Sequence, residues 1–174
     1  MIQYIANEEH YSKVLEKAKK VKKSLWIGTA DIKDVYVKAG IESTQPFLSV
    51  LSTLIKNGVE VRMLFAKEPG QNFRKDFDKY PLLIQYLETA ICPRVHFKFF
   101  VFDEKEVYLG SANLTGAGIG MKSKNNRNFE AGILTTNPEI VEKVMNQFDE
   151  VWNGSQCPKC GRKKYCPMPI DKII

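Results

Sequence analysis

Short apolar runs rich in β-branched and aromatic residues recur along the chain and predict β-strands. They are IQYIA at 2–6, SLWIGTA at 24–30, VEVRMLFA at 59–66, the stretches around 95–102 and 106–113, and FEAGILTT at 129–136. The stretches around 95–102 and 106–113 are joined by a short turn near Glu104. We therefore expect them to form a hairpin or to lie close together in a sheet.

Longer segments between these runs predict helices. They are residues 8–23, 41–58, 73–90 and 138–152. Asn7 can cap the first segment, whose acidic start and lysine-rich end suit the helix dipole. Gly58 stops the second segment, and Pro81 marks a kink or a break in the third.

The order of these elements indicates a fold class. Strands alternate with helices first and then follow one another directly, which predicts an α/β fold with a mixed β-sheet flanked by helices. The sequence contains no internal repeat.

Length and composition limit the classes of protein to consider. A chain of 174 residues with 44% apolar residues can bury a full core but is short for two ordinary domains. No apolar run reaches about 18 residues, so no membrane span is expected. The acidic start of the chain lacks the features of a secretory signal, so we expect a cytoplasmic protein. A net charge of +6 suits a polyanionic partner, although a lysine excess is also common on solvated surfaces.

The strongest chemical pattern lies in VHFKFFVFDEKEVYLGSAN at 95–113. Alternate side chains of a strand share a face, so His96 and Lys98 project together, and Ser111 and Asn113 project together from the next strand. Such a set suits a phosphodiester. An imidazole can attack phosphorus, while a fixed cation and neutral donors position the oxygens that gain charge in the transition state.

At these positions the chain resembles the phospholipase D superfamily. The signature of that superfamily is His-x-Lys-x4-Asp followed by x6-Gly-Ser-x-Asn, and each specified position is matched here. The resemblance extends more loosely to NFEAGIL and to a closing helix that ends in FDEVW. It implies a phospholipase D-like catalytic domain over about residues 1–153.

The resemblance also implies an assembly and a mechanism. The superfamily uses two histidines on opposite sides of the phosphorus, one as nucleophile and one as general acid, whereas this sequence carries the signature once. By resemblance to single-copy members, two chains are expected to form a homodimer in which both copies of His96 face one phosphate. Attack would give a phosphohistidine intermediate, and no catalytic metal would be required.

Two carboxylates complete the set of candidate site residues. In the superfamily a glutamate downstream of the second motif fixes a histidine tautomer, and Glu130 is the candidate. The alternative is an ordinary strand carboxylate that faces solvent. Asp103 belongs to the signature, but its place beside a turn favours a structural role over direct catalysis.

The loop LTGAGIGMKSKNNRN at 114–128 follows Asn113 and should lie at the mouth of the site. Lys122, Lys124 and Arg127 are candidates for binding the flanking phosphates of a nucleic acid. The alternative is a flexible loop whose charges are simply solvated.

Residues 154–174 change in character and form a Cys-rich tail that predicts a metal site. Cys157 and Cys160 lie in a CPKCG turn typical of half a zinc site, and Cys166 adds a third ligand. The fourth ligand would be Cys92, with His10 as the substitute. The alternatives are reduced cysteines without metal, an iron-sulfur cluster or, given no export signal, less readily two disulfides.

Three functions from different classes follow from these features. The first is a metal-independent endonuclease acting on DNA or RNA. The second is a phospholipase D-type lipid hydrolase, which would need an apolar groove or interfacial helix; the stretch PLLIQYL is expected to pack on the sheet instead. The third is a catalytically silent nucleic-acid-binding module, against which the complete signature argues.

Overall fold

The computed structural model describes residues 1–33, 35–40 and 42–169, and its centre is a seven-stranded sheet. The strands of this sheet are β1 (Ile2–Ala6), β2 (Ser24–Thr29), β5 (Glu60–Phe65), β6 (Glu88–Ile91), β7 (Lys98–Phe102), β8 (Glu106–Gly110) and β9 (Ala131–Thr135). Their spatial order is β1-β9-β8-β7-β2-β5-β6. Strands β3 (Tyr36–Lys38) and β4 (Thr44–Pro46) form a separate antiparallel ribbon.

The sheet is mixed. Strands β2, β5 and β6 pair in parallel, whereas β7 pairs antiparallel with both β2 and β8, and β9 pairs antiparallel with β8 and β1. Strands β7 and β8 form the expected hairpin, in which Lys98 is opposite Gly110. The predicted α/β fold with a mixed sheet flanked by helices is therefore confirmed.

Helices cover both faces of the sheet. They are α1, made of a π-helical part (His10–Leu15) and an α-helical turn (Glu16–Ala18), α2 (Phe47–Lys56), α3 (Gln71–Phe77), α4 (Pro81–Tyr86) and α5 (Pro138–Trp152). On one face α1 and α2 pack over a core that includes Leu25, Ile27 and Phe100. On the other face Phe148 of α5 is fully buried against Trp26.

The predicted helix over 41–58 begins only at Phe47. Residues Thr44–Pro46 form β4 instead, because a residue that precedes proline avoids helical backbone angles and proline lacks an amide hydrogen. Ile41, the first residue of the predicted helix, lies outside the described residues.

The predicted helix over 73–90 is divided at Pro81, as the sequence indicated. Its two parts are α3 and α4, but Glu88–Ile91 then form β6 rather than a last helical turn. This strand pairs with β5, with Met63 opposite Thr89. A pairing so distant in sequence overrides the weak local preference of ETAI.

Asn7 does not cap α1 with its side chain. It has a left-handed backbone (φ 47°), and its Oδ1 accepts the backbone N–H of Glu130 at 3.2 Å. Its carbonyl oxygen accepts the ring Nδ1–H of His10 at 2.8 Å. Asn7 thus ties β1 to the start of β9. The helix itself ends at Ala18, before the lysines that were expected to finish it.

No helix in the described ranges is long and apolar enough to cross a bilayer.

Candidate active site

The signature residues gather at one edge of the sheet because of the direction of its strands. Strand β7 starts at this edge with Lys98, and its neighbours β2 and β8 end there. Strand β9 starts there directly after Glu130. The two arms of the β7–β8 hairpin, the end of β2 and the start of β9 therefore meet at this edge.

His96 lies just before β7 and is exposed, whereas Lys98 is the first residue of the strand and is 8% exposed. The Nζ atom of Lys98 donates to the carbonyl oxygen of His96 at 2.6 Å and lies 3.4 Å from His96 Nδ1. Burial lowers the pKa of Lys98, and the nearby carboxylate of Glu130 opposes that shift. The site therefore holds a partly desolvated cation beside an accessible imidazole.

Ser111 and Glu130 are joined across β8 and β9. The Ser111 hydroxyl donates to Glu130 Oε2, and the backbone N–H of Ala131 donates to Ser111 Oγ at 3.0 Å. A Cβ atom at Gly110 would lie 2.6 Å from the carbonyl oxygen of Ala131. Glycine at this signature position thus allows β9 to approach and carry Glu130 to Ser111.

Asn113 is held by the segment that follows β2. Its Oδ1 accepts the backbone N–H groups of Ala30 at 3.2 Å and Asp31 at 3.1 Å, and it lies 3.3 Å from Thr29 Oγ1. These contacts use the amide oxygen. Within the described ranges its Nδ2 group has no acceptor at hydrogen-bond distance, so it is available as a donor to a ligand.

Asn113→Asp is expected to separate these two functions. The aspartate keeps an oxygen for the three donors, so the free energy of unfolding should change by less than about 1 kcal/mol. Replacing the amino group by an oxygen should lower phosphodiester cleavage by about 100-fold. Chemical denaturation and initial rates measure the two effects.

The exposed substitution Asn57→Asp introduces the same charge elsewhere and serves as the control. Asn113→Ala should in addition lower the free energy of unfolding by about 1–3 kcal/mol, because it leaves its donors without a partner. Full cleavage activity in Asn113→Asp would contradict the role of Nδ2.

The loop 114–128 packs on the domain rather than standing free. Ile119 is fully buried, and Gly120 has a left-handed backbone (φ 81°) next to Glu8. Arg127 forms an ion pair with Glu8 at 2.9 Å, so in this conformation it fastens the loop. Lys124 is exposed.

An open groove of about 650 Å³ lies between the loop and α3, and Thr115, two residues after Asn113, lines it. Lys122 lines it, together with Gln71 and Asn72. Lys33 also lines the groove and was not singled out from the sequence. Its location follows from contacts between the segment after β2 and Leu114, including a 3.1 Å hydrogen bond from the Lys33 amide. Such contacts cannot be found from local pattern.

Asp103 lies at the opposite end of β7 from His96. Its carboxylate accepts the backbone N–H groups of Lys22 (2.9 Å), Lys23 (2.7 Å) and Ser24 (3.1 Å). Burial alone would raise the pKa of Asp103, but these amides hold the pKa below its ordinary value. The structure thus places Asp103 where it fastens the start of β2, distant from the other signature residues. In the described ranges its side-chain hydrogen bonds are all to these backbone amides, which are the contacts of a structural role.

Glu130 makes no hydrogen bond to His96 of its own chain. Besides Ser111, its carboxylate accepts the Nδ2–H of Asn128 at 2.9 Å. It is half-buried.

The four cysteines occupy a different part of the molecule and are all free thiols. Cys92, Cys157, Cys160 and Cys166 together line one small cavity. In the described ranges no three His, Cys, Asp or Glu side chains are spaced to hold a metal ion as they stand. His10, the substitute ligand, is fully buried edge-on against Tyr108 and does not line this cavity.

Comparison with known proteins agrees with this architecture. The sequence model of the family described as cardiolipin synthase, PLD-like domain, matches residues 12–152. No curated protein sequence matches the chain significantly.

Several solved structures share the fold. NucT from Helicobacter pylori has a TM-score of 0.62 at 14% identity, with 86% of this chain and 95% of that chain covered. Nuc, a phospholipase D family member from Salmonella typhimurium, has a TM-score of 0.62 at 19% identity, with 88% and 94% covered. The archaeal chromatin protein TrmBL2 has a TM-score of 0.59 at 14% identity, with 87% and 51% covered.

The match to the PLD-like family spans most of the chain and includes every residue of the signature. The chain therefore belongs to the phospholipase D superfamily.

Proposed function

We propose that this protein is a metal-independent endonuclease that cleaves DNA or RNA at a site formed by two chains. The observation that carries this proposal is the convergence of His96, Lys98, Ser111 and Asn113 at one sheet edge. Such a set offers a nucleophile, a cation and neutral donors to a phosphodiester.

A nucleic acid is the favoured substrate because of the charge and shape around the site. The groove that Thr115 lines, two residues after Asn113, is also lined by Lys33 and Lys122, which can neutralise phosphates that flank the scissile one. The net charge of +6 also favours binding of a polyanion such as a nucleic acid. The structural relative TrmBL2 is described as having a novel mode of DNA binding.

A second copy of the chain is the proposed partner. Each chain offers one His96, whereas displacement at phosphorus with a poor leaving group requires both a nucleophile and an acid. Two large apolar side chains are exposed near Glu130: Phe129, the preceding residue, is 96% exposed, and Tyr4 of the edge strand β1, which pairs with β9, is 66% exposed. Pairing through this surface would bring two sites together about a two-fold axis.

The chemistry then proceeds in two steps. A ring nitrogen of His96 attacks phosphorus and forms a phosphorus–nitrogen bond, while the bond to the leaving oxygen breaks. The partner's His96 donates a proton to that oxygen. The partner's His96, now neutral, removes a proton from water, the resulting oxygen attacks phosphorus, and the phosphorus–nitrogen bond breaks. This releases the phosphomonoester and restores both imidazoles.

The partner chain would also supply the carboxylate that orients each nucleophile. Glu130 is bonded to Ser111 and Asn128 of its own chain and does not reach its own His96. In a two-fold assembly it would approach the partner's His96 and stabilise the imidazolium form.

The substrate class is tested by incubating purified protein with labelled single-stranded and double-stranded DNA, RNA and phospholipid vesicles, all in EDTA. Cleavage of at least one nucleic acid that is lost in His96→Ala would support the proposal. Hydrolysis of phospholipid without cleavage of any nucleic acid would instead show a phospholipase D-type lipid hydrolase. A requirement for added Mg²⁺ or Mn²⁺ would contradict the proposed mechanism.

Two observations are the reason for testing phospholipid vesicles. The description of the matching family names cardiolipin synthase, which is a lipid enzyme. In addition, helix α4 packs on the domain mainly through Leu83. Its Ile84 and Tyr86 are 61% and 54% exposed, so PLLIQYL packs on the domain through one face only. An exposed apolar helix face is a feature of interfacial enzymes.

The dimer is tested by mixing. Wild-type protein should sediment as a dimer. After subunit exchange with a tenfold excess of His96→Ala, most wild-type chains are paired with inactive ones, so activity per wild-type chain should fall by roughly tenfold. The same mixture assayed before exchange is the control. An active monomer, or unchanged activity after proven exchange, would contradict the two-histidine site.

A further inference from the structure

The four cysteines converge on one cavity although they come from two distant parts of the sequence. Cys92 directly follows β6, and its backbone amide donates to the carbonyl oxygen of Phe65 at 3.0 Å. The other three lie in the turns after α5, where the Cys160 amide donates to the Cys157 carbonyl at 3.1 Å. All four half-buried thiols line a cavity of about 60 Å³.

We propose that Cys92, Cys157, Cys160 and Cys166 bind one Zn²⁺ ion that fastens the C-terminal turns to the catalytic domain. The convergence of all four cysteines selects Cys92, and not His10, as the fourth ligand. Four sulfur ligands are a complete tetrahedral set for zinc, with no position left for water. The site is thus structural and separate from the phosphodiester chemistry.

The surroundings of the cavity suit a cluster of thiolates. Four thiolates around one Zn²⁺ carry a net negative charge, and Arg94, Arg162 and Lys163 all line the cavity. The backbone N–H of Arg162 donates to Cys160 Sγ at 3.4 Å, a bond that stabilises a ligand sulfur. Thiols that were neutral and served only for packing would not require nearby cationic side chains or a backbone N–H directed at sulfur.

The side chains must rotate to close the site, because no three of them have ligand spacing as they stand. A cysteine thiol moves between three staggered positions by rotation about χ1, without displacement of the backbone. The backbone is already held in place, since Arg162 Nη1 also donates to the carbonyl oxygen of Pro93 at 3.3 Å. Residues of the tail and the segment before His96 are therefore in contact without the metal.

Metal analysis of full-length protein purified without added zinc tests the proposal. Wild-type protein should contain about one Zn²⁺ per chain. Each of the four Cys→Ser variants should lose most of the metal and melt at a lower temperature. Lys159→Ser, an exposed change inside the same turn, should keep the metal and the melting temperature.

Titration of metal-free protein with Co²⁺ provides a second measurement that does not depend on the variants. A site with four thiolates should give intense visible bands typical of tetrahedral cobalt. Wild-type protein that lacks zinc and gives no such bands would overturn the proposal, as would iron with its own visible absorbance. Full zinc content in Cys92→Ser would overturn the assignment of the fourth ligand. These readouts are independent of nuclease activity, so the two proposals can fail separately.

Discussion

His96→Ala is expected to lower phosphodiester cleavage by about 10⁴-fold or more, because one substitution removes the nucleophile and, in the symmetric dimer, the general acid. The His96 side chain is exposed and carries no packing contacts of the core. The free energy of unfolding should therefore change by less than about 0.5 kcal/mol. Initial rates and chemical denaturation of the same preparation measure both quantities.

The control is Lys105→Ala, an exposed change in the turn at the opposite end of the β7–β8 hairpin. It should leave cleavage unchanged. Comparable activity in folded His96→Ala and wild-type protein would remove the basis for the catalytic assignment.

Lys98→Met is expected to lower cleavage by about 10²–10³-fold while the protein becomes no less stable. Burial lowers the pKa of Lys98, with Glu130 opposing the shift, so the charged form is less favourable in the folded protein than in the unfolded chain. That cost is present below the folded pKa and disappears as the pH rises above it. At neutral pH methionine removes the cost and retains an apolar side chain of similar length.

The melting temperature of Lys98→Met at neutral pH should thus equal or exceed that of the wild type. Any gain should shrink as the pH rises through the folded pKa of Lys98. Lys105→Met, the same change at an exposed position, is the control for charge and should affect neither quantity. A Lys98→Met protein that is less stable but fully active would contradict both parts of this prediction.

Much of the site was accessible from the sequence because its chemistry is encoded locally. His96 and Lys98 are two residues apart, as are Ser111 and Asn113, and the hairpin that joins the two pairs has a turn visible in the sequence. The apolar runs also located the central strands, since burial on both faces demands such runs.

Other features depend on contacts that no local pattern records. The amide oxygen of Asn113 is bound by Ala30 and Asp31, more than 80 residues earlier in the chain. Lys33 lines the groove because the segment after β2 contacts Leu114, which is also distant in sequence. Strand β6 was missed because ETAI has no strong pattern of its own and depends on pairing with β5.

The Cys-rich tail was predictable from the sequence only in part. The CPKCG turn predicted a pair of metal ligands, but the sequence left Cys92 and His10 as alternatives for the fourth. Only the fold separates them, by placing Cys92 in the cavity of the tail and His10 in the core beside Tyr108. Residues 170–174 of the predicted tail lie outside the described residues.

The central claim is that His96 attacks phosphorus and becomes covalently linked to it. The most direct measurement is to stop a cleavage reaction with alkali, which preserves a phosphorus–nitrogen bond, and to analyse peptides by mass spectrometry. We predict that wild-type protein carries the nucleotide phosphate on the peptide containing His96, and that His96→Asn does not. Turnover without any adduct, or an adduct on another residue, would contradict the account.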